Sequence, residues 1–413
     1  MNSSDTQKSA VVEDRDEPSS QAADLSDIGT TVRVCRTVAD IEEIRPFWAS
    51  WKGYRDSDID FYLEFIRTRQ EVLRPHVIVL SRDGRPDALL IGRLEKTRID
   101  SKIGYLRLPA VPARILTFAY GGLRGNASEE NCIALVRSIM DSLRRGEADL
   151  AFLHKPGEDD LVYKRALSLP SFWCRDHLTY PESHHVMKLA ENIEQVYQGF
   201  SHGLRGQLRR KQKKVLKEFN GLVKVTCFRD ASELDRIIAE AEVIAKKTYQ
   251  RGLGVGFEDT PAMRGRLNFC AEKGWLRAGV LYIGDRPCAF WIGTVYDGVF
   301  VSDFLAFDPE FRDYSLGSYL LIAMIEEFCK EGTKAVDFGF GPGEYKERFG
   351  NSELREASVH IFAPNFKGLT LNALRTVTVL VESTLKKSLQ KTNLLPKIKR
   401  LWRERVSQKP ASS

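Results

Sequence analysis

The sequence predicts an α/β (α+β) protein made by tandem duplication: two like domains, each a mixed, mainly antiparallel sheet flanked by helices. Three observations predict it. The chain has 413 residues, more than one ordinary domain of about 100–200 residues. The pattern Arg85-Pro86-x-Ala88-x-x-Ile91-Gly92 returns 201 residues later as Arg286-Pro287-x-Ala289-x-x-Ile292-Gly293. Gly146, Phe152 and Pro156-Gly157-Glu158 return 186 residues later as Gly332, Phe338 and Pro342-Gly343-Glu344, and a Tyr-Lys pair follows both times. Each match lies in the same context of apolar run, tight turn and apolar run, and the period is too long for a solenoid.

The elements follow in order. Residues 1–28 are polar and acidic, with Lys8 and Arg15 against seven acids, and read as a disordered arm. Residues 29–190 form the first domain, 191–222 a basic connecting helix, 223–365 the second domain and 366–413 a basic amphipathic tail. The second domain reads most clearly. A short strand (VKVTCF) precedes helices over 231–250 and 260–273, and antiparallel strands follow near 275–283, 288–296 and 299–307. Asp297-Gly298 supplies a two-residue hairpin turn. Leu316, Leu320, Met324, Ile325 and Phe328 mark one face of a helix over 315–331, closed by Gly332. A buried strand (KAVDFGF), a glycine loop, a short helix at 345–349 and a last strand (ASVHIFA) complete the repeat.

Composition excludes several classes. The hydrophobic fraction of 43% allows a proper core. No stretch approaches the roughly 18 apolar residues of a membrane span, and the N-terminus lacks a basic-then-apolar leader, so the expectation is a cytoplasmic protein. The seven cysteines are odd in number and none sits in a CxxC, which argues for reduced, buried thiols. The net charge of +6 is concentrated in the tail, where residues 367–409 hold eleven Lys and Arg against Glu382 and Glu404. The folded part is near neutral, so DNA binding is not expected.

The segment VFVSDFLAFDPEFRDYSLGSYLLIAMIEEF places Arg312, Ser315, Leu316, Gly317 and Ser318 at the start of a helix. Unpaired N–H groups and the partial positive charge there suit a phosphate. With the strand order around it, this segment resembles the GNAT superfamily of acyl-CoA N-acyltransferases. That resemblance implies a coenzyme A pyrophosphate held by the loop and helix, and a thioester polarised by the preceding strand near Leu305. The family loop is Q/R-x-x-G-x-G/A; here Arg312-Asp313-Tyr314-Ser315-Leu316-Gly317 lacks the first glycine. Two fused copies with a basic helix between them, closing on D-F-G-x-G-x-x-x-Y-K, resemble more specifically the double-GNAT CelD/BcsL type. Those proteins are related to FemAB-like transferases and associated with cellulose and exopolysaccharide biosynthesis. In the first copy the matching helix opens Ser128-Glu129-Glu130, and its carboxylates repel a phosphate, so the acyl-CoA site is expected in the second copy.

For proton handling, Tyr345 is the candidate acid toward the departing thiolate. Asp303, among apolar neighbours where burial raises a carboxyl's pKa, and Glu344 are the candidate bases. Asp337 would orient the glycine loop, and Lys346 would bind a phosphate or an acidic sugar. Arg209 and Lys213 on the connecting helix would meet a polyanionic substrate or tRNA, as the FemAB-like resemblance implies. AVDFGFGPGEY also reads like an S-adenosylmethionine motif, but only one strand follows it. No HExxH or His-x-x-x-His exists, so no metal site is expected. The tail carries Leu374, Val377, Val381 and Leu385 at helical spacing with lysines beyond. It suits an anionic membrane surface at the inner face or a helix packed on the second domain. The expected activity is acyl transfer from acetyl-CoA or another acyl-CoA to an amine, and the resemblance implies that the amine is on a sugar or precursor for exopolysaccharide or cellulose. Aminoacyl-tRNA-dependent transfer and a non-catalytic scaffold are the alternatives.

Overall fold

The computed structural model describes residues 29–99, 102–103, 106–107, 109–252, 256–341 and 343–391. The acidic arm at 1–28 and the tail beyond 391 lie outside them. The first repeat runs β1 (Thr30–Cys35), α1 (Val38–Ser50), α2 (Ile59–Thr68), β2 (Val72–Pro75), β3 (Val77–Arg82) and β4 (Arg85–Ile99). A small hairpin, β5 (Lys102–Ile103) and β6 (Leu106–Arg107), leads to β7 (Val111–Gly125), α3 (Glu129–Arg144), β8 (Leu150–Leu153), α4 (Leu161–Ser168) and β9 (Glu182–Lys188). The connecting segment forms not one helix but two, α5 (Ile193–Gly199) and α6 (His202–Glu218). It breaks because Ser201 caps α6, its hydroxyl accepting the Leu204 N–H at 3.3 Å.

The second repeat runs β10 (Val223–Phe228), α7 (Leu234–Ala245), α8 (Tyr249–Gly252), α9 (Pro261–Glu272), β11 (Leu276–Ile283), β12 (Arg286–Tyr296) and β13 (Val299–Phe307). Then come α10 (Leu316–Lys330), β14 (Ala335–Asp337), α11 (Glu344–Phe349), β15 (Ser352–Glu356), β16 (Val359–Phe362) and α12 (Phe366–Lys391). The two sheets repeat one another: β1-β3-β4-β7-β8 answers β10-β11-β12-β13-β14, with the parallel pairs β7–β8 and β13–β14 in equivalent places.

The repeats exchange their last strands. β9 leaves the first repeat and pairs antiparallel with β14, Ala335 opposite Lys188, while β16 leaves the second and pairs with β8, Val359 opposite Leu153. ASVHIFA therefore closes the first sheet, not the second, and the sheets cross the sequence boundary near 190. β9 and β16 take equivalent places, each antiparallel to the last strand of a parallel pair. The crossed arrangement buries Val359 and Ile361 in the core under α3 and Met187 in the core under α10, so neither core closes without the other repeat.

The recurring Ile-Gly has a steric cause. A Cβ on Gly293 would stand 2.3 Å from the Val301 carbonyl oxygen and 2.5 Å from the Phe300 ring, and one on Gly92 would stand 2.6 Å from the Phe118 ring. Both glycines sit at a register shift between the second and third long strands. Helices α3 and α10 cover one face of their sheets, and α1–α2 and α7–α9 the other, with α2 of the first repeat against α9 of the second.

Candidate active site at the junction of the repeats

β13 and β14 pair only from Val299–Ala335 to Val301–Asp337, after which β13 runs on alone on that side to Phe307. α10 begins beside its end. Ser315 enters α10 in the left-handed region (φ 56°) and makes no side-chain cap, and its first turn holds no acid. A Cβ on Gly317 would meet only the Phe307 ring at 3.5 Å, which leaves the helix start open. Leu316 is buried beneath, Ser318 is half-buried and Arg312 exposed. Basic α6 flanks this start, with Lys214 Nζ donating to the Asp313 carbonyl at 3.3 Å and lying over the Tyr314 ring. The equivalent start of α3 is occupied by its own chain: the Ser128 hydroxyl accepts the Asn131 N–H at 3.3 Å, and Glu129 and Glu130 fill the first turn. The N–H dipoles of α10 are available to an anion and those of α3 are not.

Asp303 is the bulged residue of β13, since Ile292 stands opposite Phe304 and Gly293 opposite Ser302. The bulge turns its carboxylate toward the junction of the repeats, where Arg55 Nη1 of the first meets it at 3.0 Å and Arg266 Nη2 of α9 at 2.5 Å. The expected rise in its pKa is reversed. Burial does oppose the charge, but the Arg266 and Arg55 guanidiniums hold the carboxyl below the usual carboxylate value. Leu305, further along the strand, packs under α10.

Asp303 lines a cavity of about 280 Å³ between the repeats. Phe61, Tyr62 and Phe65 of α2, Tyr120 of β7 and Phe269 of α9 give it an aromatic wall, and Arg55, Arg266, Asp56 and Asp303 a charged one. His154 also lines it, and burial holds the imidazole below its ordinary pKa, hence neutral.

The glycine loop after β14 is anchored by a buried network across both repeats. Asp337 Oδ1 accepts the Gly339 N–H at 2.7 Å and lies 2.6 Å from His184 Nε2. His184 Nδ1 lies 2.8 Å from Glu356 Oε2, and the Tyr120 hydroxyl donates to the other Glu356 oxygen at 2.7 Å. Two carboxylates facing both ring nitrogens demand the imidazolium. Burial alone lowers the His184 pKa, but these hydrogen bonds outweigh it and push it up to about 9. Phe340 covers the ring at 4.9 Å. Lys346 Nζ, buried, donates to the Gly339 and Phe340 carbonyls at 3.0 and 2.7 Å, and burial lowers its pKa. Tyr345 is half-buried edge-on to Phe338, and Glu344 is exposed in the first turn of α11.

The structure thus brings Asp337 and Lys346 to one loop and Arg312 through Ser318 to one helix start. It leaves Arg209 and Lys213 on the exposed face of α6. Arg55, Arg266, His154, His184, Glu356 and Tyr120 were not legible as site residues. Glu356 lies 172 positions from His184 and Asp303 lies 248 from Arg55, so no local spacing links them. Among the described residues no group of three His, Cys, Asp or Glu is placed to hold a metal ion.

Residues 202–347 match the family model of an acetyltransferase (GNAT) domain. A crystal structure of FemX is similar at a TM-score of 0.53 and 11% identity, over 78% of this chain and 95% of that one. A conserved protein of unknown function from Bacteroides thetaiotaomicron VPI-5482 is similar at 0.50 and 12% identity, over 80% of this chain and 100% of that one. No curated protein matches the chain. The second repeat has the fold of a GNAT acetyltransferase domain, with a first repeat of the same topology beside it.

Proposed function

We propose that the protein is an N-acyltransferase that moves an acyl group from a CoA thioester on the second repeat to an amine in the cavity between the repeats. The amine belongs to a sugar or precursor of exopolysaccharide or cellulose, whose flat apolar face suits the aromatic wall of Phe61, Phe65 and Phe269. The observation that carries the reading is the difference between the two helix starts: α3 is capped by Ser128 and two glutamates, whereas α10 is uncapped, acid-free and open above Gly317.

In direct transfer the amine nitrogen forms a bond to the thioester carbon, the C–S bond breaks, the amine loses a proton and the thiolate gains one. Neutral His154 takes the proton, and the Tyr345 phenol supplies the other. Asp303, locked between two guanidiniums, shapes the cavity wall and is a poor base. Holding both partners in one geometry supplies much of the rate enhancement.

Calorimetric titration with acetyl-CoA and longer acyl-CoAs tests this. Binding that Gly317→Glu abolishes supports the donor site on α10; no binding by folded protein ends the acyl-CoA reading. The exposed Arg209, Arg210 and Lys213 of α6 favour a second reading, with aminoacyl-tRNA as donor. Retarded migration of tRNA with the protein, lost on reversing those charges, would support it. A folded protein that binds neither donor is a scaffold.

A further inference from the structure

α12 docks on the body by a mixed face, where Leu371 packs with Leu150 and Phe362. Leu371 and Asn372 are buried, and Asn372 Nδ2 donates to the Trp173 and Arg175 carbonyls at 2.8 and 3.1 Å. Arg375 reaches Asp176 at 3.0 Å, Lys367 reaches Asp149 at 2.8 Å, and Thr378 is buried further along. The tail helix therefore lies on a loop of the first repeat rather than on the second domain.

The opposite face is apolar and open. Phe366, Leu369, Ala373, Val377 and Leu380 fall on one stripe of a helix that turns about 100° per residue, and all are exposed, Phe366 by 88%. A surface helix ordinarily turns its polar side outward; here the outward stripe is apolar, and Asn372, Arg375 and Thr378 lie on the docked side with Leu371. The loop beneath α12 also exposes Phe172 and Trp173, the latter by 70%. Beyond Leu385 the sequence holds nine Lys and Arg, from Lys386 to Lys409, against Glu404 alone. Lys367 and Arg375 are already paired with acids of the body, so the cationic sequence that bears on a surface is that following segment.

We infer that α12 lays its outer stripe into an anionic lipid surface, with the basic segment after it engaging the headgroups. An apolar stripe and a polycationic flank are each weak membrane signals and act together at an anionic interface. Charge complementarity favours an anionic lipid surface over a second copy, whose tail carries the same excess of Lys and Arg. Among the described residues no helix is long and apolar enough to cross a membrane, and Asn372 and Arg375 hold α12 to the protein body, so the helix lies along the surface.

The test is flotation of the full chain with phosphatidylcholine vesicles and with vesicles holding about 30% phosphatidylglycerol. The expected result is binding to the anionic vesicles alone, released by about 0.5 M salt. Val377→Glu with Leu380→Glu should lower the bound fraction roughly tenfold or more, with an unchanged circular dichroism spectrum because both side chains point outward. Lys397→Glu with Lys399→Glu and Arg400→Glu should weaken binding without touching the stripe. Failure of the folded chain to bind anionic vesicles overturns the inference, as does binding that Val377→Glu with Leu380→Glu leaves intact. A dimer in light scattering that this pair of substitutions dissolves, with no vesicle binding, would assign the stripe to self-association instead.

Discussion

His184 Nε2 stands 2.6 Å from Asp337 Oδ1, and the same oxygen accepts the Gly339 N–H, so the exchanged strand of the first repeat holds the glycine loop of the second. The contact has a pH signature. His184 is raised from the ordinary 6.5 to about 9 in the fold, so its stabilisation is complete below about pH 6.5 and is lost as pH rises through about 9. A shift of that size corresponds to about 3 kcal/mol. Urea midpoints measured across this window should fall for the wild type, and the fall should be much smaller for His184→Gln. An equal fall in both would show that the imidazolium contributes nothing.

Asp303 meets Arg55 and Arg266 deep between the repeats. Asp303→Leu leaves two guanidiniums there without their shared partner, an arrangement that costs about 3–5 kcal/mol. Arg55→Leu leaves Arg266 on the carboxylate and should cost less. Denaturant unfolding of both variants checks the order, and a reversed order would show that Arg55 is anchored mainly by Asp56 and Thr294.

Two glycines should respond oppositely to the same substitution. Gly293→Ala drives a methyl into the Val301 carbonyl and should destabilise by about 1–3 kcal/mol or more. Gly317→Ala meets open space and should be neutral or stabilise by up to about 1 kcal/mol. Melting temperatures of the pair decide it.

Tyr345→Phe should lower acyl-transfer turnover by about 10²-fold or more while leaving acetyl-CoA affinity unchanged in calorimetry. Unchanged turnover removes Tyr345 as the acid.

His154→Gln should reduce turnover with a neutral-pH amine acceptor by about 10²-fold and remove the acidic limb of the pH–rate profile. Burial lowers the pKa of the wild-type imidazole, so that limb should lie below the 6.5 of an ordinary histidine. A limb that survives the substitution assigns the base elsewhere.

The duplication, the hairpin at Asp297-Gly298 and the apolar face of α10 are legible because turn chemistry and helical periodicity act over a few residues. The break at Ser201 is equally local, but the charge run of α6 hides it. β15, SELRE, carries no apolar alternation because it is an edge strand with exposed residues, and so it gives no strand signal.

By itself the sequence determined that the chain is duplicated, where most strands and helices of the second copy run, and that the helix start at Ser315 lacks the acids present at Ser128. Only the tertiary structure decided that the last strands are exchanged, that Asp303 is held as an anion by Arg55 and Arg266, and that His184 is clamped between Asp337 and Glu356. Local propensity sets an element's type, but its partner is chosen by closing loops of well over 100 residues. The pKa of a buried group is then set by whichever charges that closure brings within about 4–6 Å. In a duplicated chain the choice is doubly hidden, because β9 and β16 take equivalent places in the two sheets, Met187 packing in one core and Val359 and Ile361 in the other.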